Sequence, residues 1–149
     1  MLKIKEIVLE DLQGLYDLYI NHLFKNRLNE SQDINKWTNL LKKLIADKNY
    51  HILIGEVDAK IVSSVTLVVI PNLPHDLRPY ALIENVVTHE NHRNKGYASE
   101  LIKYACKIAE NNNCYKIMLM TGSKEENTLR FYEKCGFNKN DKTGFVKWI

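Results

Sequence analysis

The stretch Val86-Val87-Thr88-His89-Glu90-Asn91-His92-Arg93-Asn94-Lys95-Gly96-Tyr97-Ala98 decides the reading of this chain. Aliphatic residues give way to a polar loop carrying Arg93 and Lys95, and a glycine then opens a helical pattern. Such a junction leaves the first amides of a helix without intrahelical acceptors and points the positive end of its dipole at the same spot. Gly96 lets the backbone approach a ligand closely, and the small Ala98 keeps the next turn low. The arrangement predicts an anion site suited to phosphate or diphosphate. An ordinary strand-to-helix turn with surface cations is the competing reading. Two well-known phosphate loops do not apply: G-x-x-x-x-G-K-[ST] is absent, and Gly96 is the only glycine between Gly55 and Gly122, which rules out G-x-G-x-x-G.

Upstream of the loop, Tyr80–Thr88 reads as a strand, almost continuously apolar and therefore expected to be buried on both faces, with Glu84 its only carboxylate. Before it, Pro71–Pro79 holds all three prolines of the chain and reads as a loop. Tyr50–Val57 and Lys60–Ile70, joined across Val57-Asp58-Ala59-Lys60, form an antiparallel hairpin. Leu2–Leu9 alternates as a strand. Two helical stripes follow it: Leu12, Leu15, Tyr16, Tyr19 and Leu23 behind a cap at Asp11, then Trp37, Leu40, Leu41, Leu44 and Ile45 behind a cap at Asp33. The polar stretch Lys25–Gln32 separates them. Downstream, Gly96–Asn112 is helical, Tyr115–Met120 a short strand, Glu125–Cys135 a helix closed by Gly136, and Gly144–Trp148 a last strand. The order is β-α-α-β-β-β-α-β-α-β, and the β-α-β piece Tyr80–Met120 is expected to be a parallel crossover.

With 149 residues, no repeat and no linker, the chain reads as a single domain over residues 1–149. It is 45% hydrophobic and 26% charged, an ordinary globular make-up that excludes a disordered or collagen-like chain. A net charge of +3 is too mild to indicate nucleic acid. Three cysteines, Cys106, Cys114 and Cys135, cannot all pair, and no zinc-ligand spacing occurs, so they read as structural thiols and no metal is expected. His89 and His92 read as surface residues. No apolar run approaches the ~20 residues of a membrane span, and the N-terminus lacks a signal-peptide core, so a cytoplasmic protein without membrane contact is expected.

Arg93-Asn94-Lys95-Gly96-Tyr97-Ala98 fits [QR]-x-x-G-x-[GA], the signature of the GCN5-related N-acetyltransferases (the GNAT superfamily), and lies where that family has it. Asn127-Thr128-Leu129-Arg130-Phe131-Tyr132-Glu133-Lys134-Cys135-Gly136-Phe137 resembles the family's N-x-x-x-x-F-Y-x-x-x-G-F segment. The element order agrees along nearly the whole chain. The resemblance implies an α/β GNAT fold: a mixed, mostly antiparallel sheet of six to seven strands with the fourth and fifth splayed apart, flanked by about four helices. It implies acetyl-CoA as co-substrate. The pantetheine arm would lie along the backbone of Val86, Val87 and Thr88. The diphosphate would rest on the amides of Arg93, Asn94, Lys95, Gly96, Tyr97 and Ala98, reaching Ser99. Asn127 would bond the pantetheine or shape its channel.

Acetyl transfer to an amine needs a neutral amine, a donor for the charge developing on the thioester oxygen, and a proton for the departing thiolate. An alkylammonium has a pKa near ~10.4, so a base must first remove a proton. Glu84 is the candidate, because a carboxylate in an apolar strand needs either a partner or a task; pairing with an Arg or Lys is the alternative. Tyr132 is the candidate acid, since a phenol with a pKa of about 10 matches an alkyl thiolate and the family commonly uses a tyrosine here. A strand amide at Val86 or Val87 would meet the oxyanion. The acceptor pocket, by the same resemblance, is walled by Leu23–Trp37 and Pro71–Pro79, and a small-molecule primary amine, such as an amino sugar, polyamine or amino acid, is the expected acceptor. A non-catalytic acyl-CoA-binding module is the alternative function. A homodimer through Phe145, Val146 and Trp148 of the last strand is compatible with the sequence and not required by it.

Overall fold

A computed structural model of the protein describes residues 1–24 and 32–149. Most of the polar break between the first two helices, and the middle of the first expected acceptor wall, lie outside the described residues.

Among the described residues five strands form one sheet in the order β1-β2-β3-β4-β5. These are β1 (Lys3–Glu6), β2 (Tyr50–Val57), β3 (Lys60–Ile70), β4 (Tyr80–Thr88) and β5 (Ile117–Leu119). The first four pair antiparallel, while β4 and β5 run parallel. The helices are α1 (Leu12–Leu18), α2 (Ile34–Ala46), α3 (Tyr97–Asn111) and α4 (Glu126–Lys134). The β2–β3 hairpin turns through Asp58 and Ala59, both at positive φ (49° and 61°). Such a turn matches the right-handed twist of the flanking strands.

Helix boundaries follow local chemistry. The Asp33 carboxylate accepts the Asn35 amide at 3.0 Å and caps α2. Asp11 does not cap α1. Its carboxylate reaches back to the Val8 amide at 2.9 Å and fastens the 3-10 turn Leu9–Asp11 that precedes the helix. α1 then widens into a π-turn at Tyr19–Leu23. Gly136, at φ 93°, closes α4, with its amide bonded to Glu133 O and that of Phe137 to Tyr132 O.

The sheet separates two apolar layers. On the α3 side, Leu53, Val65, Leu67, Ala81, Leu101 and Ala105 are fully buried. Opposite them, Ile7, Leu12, Leu15, Leu18, Tyr19, Leu41, Ile52, Ile54 and Val87 form a second cluster beneath α1 and α2. Side chains alternate faces along a strand, which is how neighbouring β2 residues Leu53 and Ile54 serve different layers.

Two sequence expectations are corrected. The sheet has five strands, not six to seven, because residues 144–148 do not form a strand. β5 stops at Leu119, and the terminal segment finds no ladder to join. Phe145 and Trp148 therefore stand 90% and 91% exposed, since β-propensity is realised only against a neighbouring edge. β4 is also not buried throughout. Its β5 ladder covers only Ala81, Leu82 and Ile83, and beyond that point Glu84 and Val86 are half-buried and Asn85 exposed.

Candidate active site

The place where β4 and β5 part is the centre of the site. On its other edge β4 stays with β3, but the register shifts between Ser64 and Thr66, so Asn85 and Val86 together face Val65. This is a β-bulge, and it holds Asn85 at φ 53°, a left-handed conformation that asparagine tolerates better than most residues. Val86, Val87 and Thr88 follow. Val87 is buried against the α1–α2 layer and Val86 packs on the α3 layer. Ser63 Oγ donates to Val87 O at 2.9 Å and lies 2.9 Å from Thr88 Oγ1, fixing this end of β4 to β3. The backbone groups that point away from β3 here face no strand, an edge open to an amide-bearing arm.

Immediately beyond, the chain makes a 3-10 turn (Glu90–His92) and enters α3 through Gly96 at φ 81°. A Cβ built on Gly96 would meet nothing within 4 Å; the glycine serves its backbone conformation and leaves the space before it clear. α3 has no side-chain cap. Its first intrahelical bond is Glu100 N–H to Gly96 O at 3.0 Å. The amides of Asn94, Lys95 and Gly96, and the opening amides of the helix at Tyr97, Ala98 and Ser99, are thus left for an external acceptor among the described residues. Arg93 and Lys95 are exposed. The Arg93 Nε donates to Thr88 O at 3.3 Å, which braces the loop against the end of β4. Free amides, a helix N-terminus, two cations and open space fit a diphosphate of coenzyme A.

Histidines pack behind this loop. His89 Nδ1 accepts the Asn91 amide at 3.2 Å, and its ring lies 4.1 Å from that of His22 and 5.5 Å from that of His92. Both loop histidines are half-buried and not the surface residues expected. The His92 pKa is pushed below 6.5 by burial and then by Lys95 and His89, with Asp58 opposing. Among the described residues no group of three or more His, Cys, Asp or Glu is placed to hold a metal ion. The three cysteines are free, and burial raises each thiol above its usual range.

Glu84 and Tyr132 approach the strand gap from different elements. Glu84 lies opposite Thr66 in the β3–β4 ladder, so the two side chains share a face of the sheet. It forms no ion pair or hydrogen bond among the described residues, so the ion-pair alternative finds no partner there. Tyr132, on α4, packs on the α3 layer beside Phe131, whose ring is 4.9 Å away. Burial raises its phenol above the ordinary value of 10, Cys135 and then the Glu84 carboxylate adding to the effect. The phenol thus keeps its proton, as an acid requires, and the carboxylate is near enough to influence it. Cys135, at the end of α4, reaches Ser99 Oγ at 3.9 Å and ties that helix to the first turn of α3. Asn127 is exposed in the first turn of α4, with no side-chain hydrogen bond among the described residues.

A cavity of about 400 Å³ opens between α1, α2 and the sheet. Leu23, Phe24, Lys36 and Trp37 from the first expected wall line it, together with Tyr50, Thr66 and Asn85 from the sheet. Residues 71–79 do not. Their loop turns instead toward the start of β5, where His75 stacks on Tyr115 at 4.0 Å and Arg78 bonds the carbonyls of Asn113 and Cys114. The sequence reading missed Tyr50, Thr66 and Asn85. Asn85 had a signal of its own, a second polar residue beside Glu84 in an otherwise apolar strand.

Among solved structures, a protein of Agrobacterium tumefaciens str. C58 assigned as an acetyltransferase is 35% identical, covers 99% of both chains and superposes with a TM-score of 0.89. A glucosamine 6-phosphate N-acetyltransferase of Trypanosoma brucei brucei is 34% identical over 83 residues, which span 56% of this chain and 54% of that protein. A glucosamine 6-phosphate N-acetyltransferase 1 of Dictyostelium discoideum is 25% identical over 134 residues, 88% of this chain and 81% of its own. No described helix is long and apolar enough to cross a membrane. The model of the Acetyltransferase (GNAT) family matches residues 12–137, from the start of α1 through the glycine turn to the end of the Tyr132 helix, and the chain belongs to that family.

Proposed function

We propose that this protein is an acetyl-CoA-dependent N-acetyltransferase that moves an acetyl group to the primary amine of a small molecule by direct attack in a ternary complex. The observation that carries the reading is the run of amides from Asn94 to Ser99 that have no partner among the described residues, beside a strand edge left open past Ile83. An anionic headgroup and an amide-bearing arm find adjoining places there. The relatives named for glucosamine 6-phosphate support an amine as acceptor.

In this reading the amides of Asn94, Lys95, Gly96, Tyr97, Ala98 and Ser99 hold the diphosphate, while the Arg93 amide, expected to join them, is bonded to Glu90 O at 3.3 Å and Arg93 contributes its exposed side chain. The backbone of Val86, Val87 and Thr88 orients the pantetheine arm, and Asn127 borders its channel. Bound acetyl-CoA supplies a thioester carbonyl and a thiolate leaving group. Glu84 takes one proton from the ammonium, which frees the nitrogen lone pair to form the C–N bond as the C–S bond breaks. A Val86 or Val87 amide steadies the charge developing on the carbonyl oxygen. Tyr132 gives its proton to the thiolate and recovers one as the new amide nitrogen loses its second. One proton leaves to solvent, and no covalent enzyme intermediate is needed.

Acetyl-CoA is expected to raise the melting temperature, by about 2.7 kcal/mol of added stability at a hundredfold excess over Kd, while acetylated pantetheine lacking the phosphates does not. Gly96→Glu should abolish the shift, because a carboxylate at a strained position would stand in the anion's place. An undiminished shift in that variant removes the turn from the site. Thiol release with a panel of amines then tests catalysis; binding without release with any amine would make the protein an acyl-CoA-binding module instead.

A further inference from the structure

The cavity between α1, α2 and the sheet has a chemical character that glucosamine 6-phosphate, the compound two relatives are named for, does not share. Leu12, Leu15, Leu40, Leu41 and Leu44 contribute aliphatic surface to it, and Tyr19, Phe24 and Trp37 aromatic surface. The aromatic groups brace one another: Trp37 meets Tyr16 edge-on at 5.0 Å, and Tyr19 lies 6.1 Å from Phe24. Among the described residues Lys36 is the only charged group in the lining, and it is exposed.

Polar groups gather at the sheet end. There Asn85 Nδ2 donates to Thr66 Oγ1 at 3.4 Å, and the Asn85 amide oxygen has no partner among the described residues. Thr66 is the cross-strand neighbour of Glu84. The Tyr50 phenol, also in the lining, is raised first by burial and then by the Glu84 carboxylate. The bulge that puts Asn85 at φ 53° makes it a cavity residue directly after Glu84, and an off-region backbone kept at such a place is a pointer to function.

We propose that this cavity takes a primary amine carried on an uncharged, apolar body, with the amide oxygen of Asn85 receiving the ammonium beside Glu84. The inference rests on the acetyltransferase reading and adds the acceptor class. About 400 Å³ lies within the range of small-molecule pockets, which are mostly apolar with a few placed polar groups. A sugar phosphate would set its hydroxyls against leucine and tryptophan, where each loses water without gaining a partner. A polyamine would bring further ammonium groups into a lining whose one charge, among the described residues, is a cation. An apolar amine meets neither penalty.

The test reads binding without acetyl-CoA. Trp37 and Trp148 are the only two tryptophans of the chain, and Trp148 is 91% exposed. Trp148→Phe therefore leaves Trp37, in the cavity lining, as the sole indole reporter. Titration of that variant with 2-phenylethylamine should change Trp37 emission saturably, whereas glucosamine 6-phosphate and spermidine should not. Asn85→Gly retains the left-handed backbone and removes the amide; it should weaken 2-phenylethylamine binding about tenfold, as expected for one hydrogen bond to a charged group. Thiol release with acetyl-CoA should follow the same ranking of amines. Saturable binding of the apolar amine without thiol release would keep the pocket assignment and sink the acetyltransferase reading. Thiol release with glucosamine 6-phosphate or spermidine, exceeding that with 2-phenylethylamine, would keep that reading and overturn the pocket assignment. No response of Trp37 to the apolar amine overturns it as well.

Discussion

The two faces of the sheet are built from similar residues to different ends. Under α3, Leu53, Val65, Leu67, Ala81, Leu101 and Ala105 leave no accessible surface, and the helix that starts at Gly96 is held firmly against β3 and β4. Under α1 and α2 the layer is equally apolar, yet it encloses a cavity of about 400 Å³. A close-packed layer resists displacement, so it suits the support of backbone amides that must be in place before an anion arrives. A layer left open suits a variable organic body. β4 belongs to both: Ala81 and Ile83 are in the filled layer, while Asn85 lines the open one and Glu84 shares its face. The strand gap is where the faces meet, with Tyr132 approaching from the filled side.

That contrast can be broken at several points. The largest effect is expected from Tyr132→Phe, which should leave acetyl-CoA affinity intact and lower kcat by about 10²–10⁴-fold, the usual range for loss of a general acid; an unchanged kcat removes Tyr132 from the chemistry. Leu101→Ala, at a fully buried position, should cost about 2–5 kcal/mol in urea denaturation. A loss below 1 kcal/mol would mean that the α3 layer is looser than its burial indicates.

The pH dependence comes next in size. The raised Tyr132 pKa places the alkaline limb of kcat above pH 10. The sign is that of a group held protonated by the fold: its contribution to stability is present below the unfolded value and is lost as pH rises through the folded one. Glu84→Gln removes the smallest of the three raising causes. It should therefore move the alkaline limb toward lower pH in the residual activity while abolishing the acid limb; an acid limb that persists excludes Glu84 as the base. Smallest is Leu40→Ala in the lining of the open layer. Leu40 is 56% exposed, and the change should alter stability by no more than about 0.5 kcal/mol.

Much of this was legible in order along the chain. β2, β3 and β4 occupy the ranges that their aliphatic runs predict, Asp33 caps α2, and Gly136 closes α4. Those features depend on neighbouring residues, so a local reading reaches them. The turn at Gly96 was legible for the same reason, since glycine before a helical stripe specifies where amides will be left over. The sixth strand was not. Its residues have the right propensity, but whether they pair depends on an edge that β5, ending at Leu119, does not extend to them. The lining of the cavity was half legible. Leu23 and Trp37 do line the cavity, whereas residues 71–79 are drawn away by Tyr115 and by the carbonyls at the end of α3.

The sequence by itself determined the order of elements from β1 to α4, the family signature and the glycine turn that leaves helix amides over, because each is set by residues within a few positions of one another. Only the tertiary structure decided that Glu84 stands without an ion pair among the described residues, that Asn85 is turned into the lining by a bulge, and that the α1–α2 layer encloses an apolar cavity. Those outcomes depend on how strands register and how helices settle on them. Contacts between residues far apart in the chain are fixed by packing, and no local pattern carries that information.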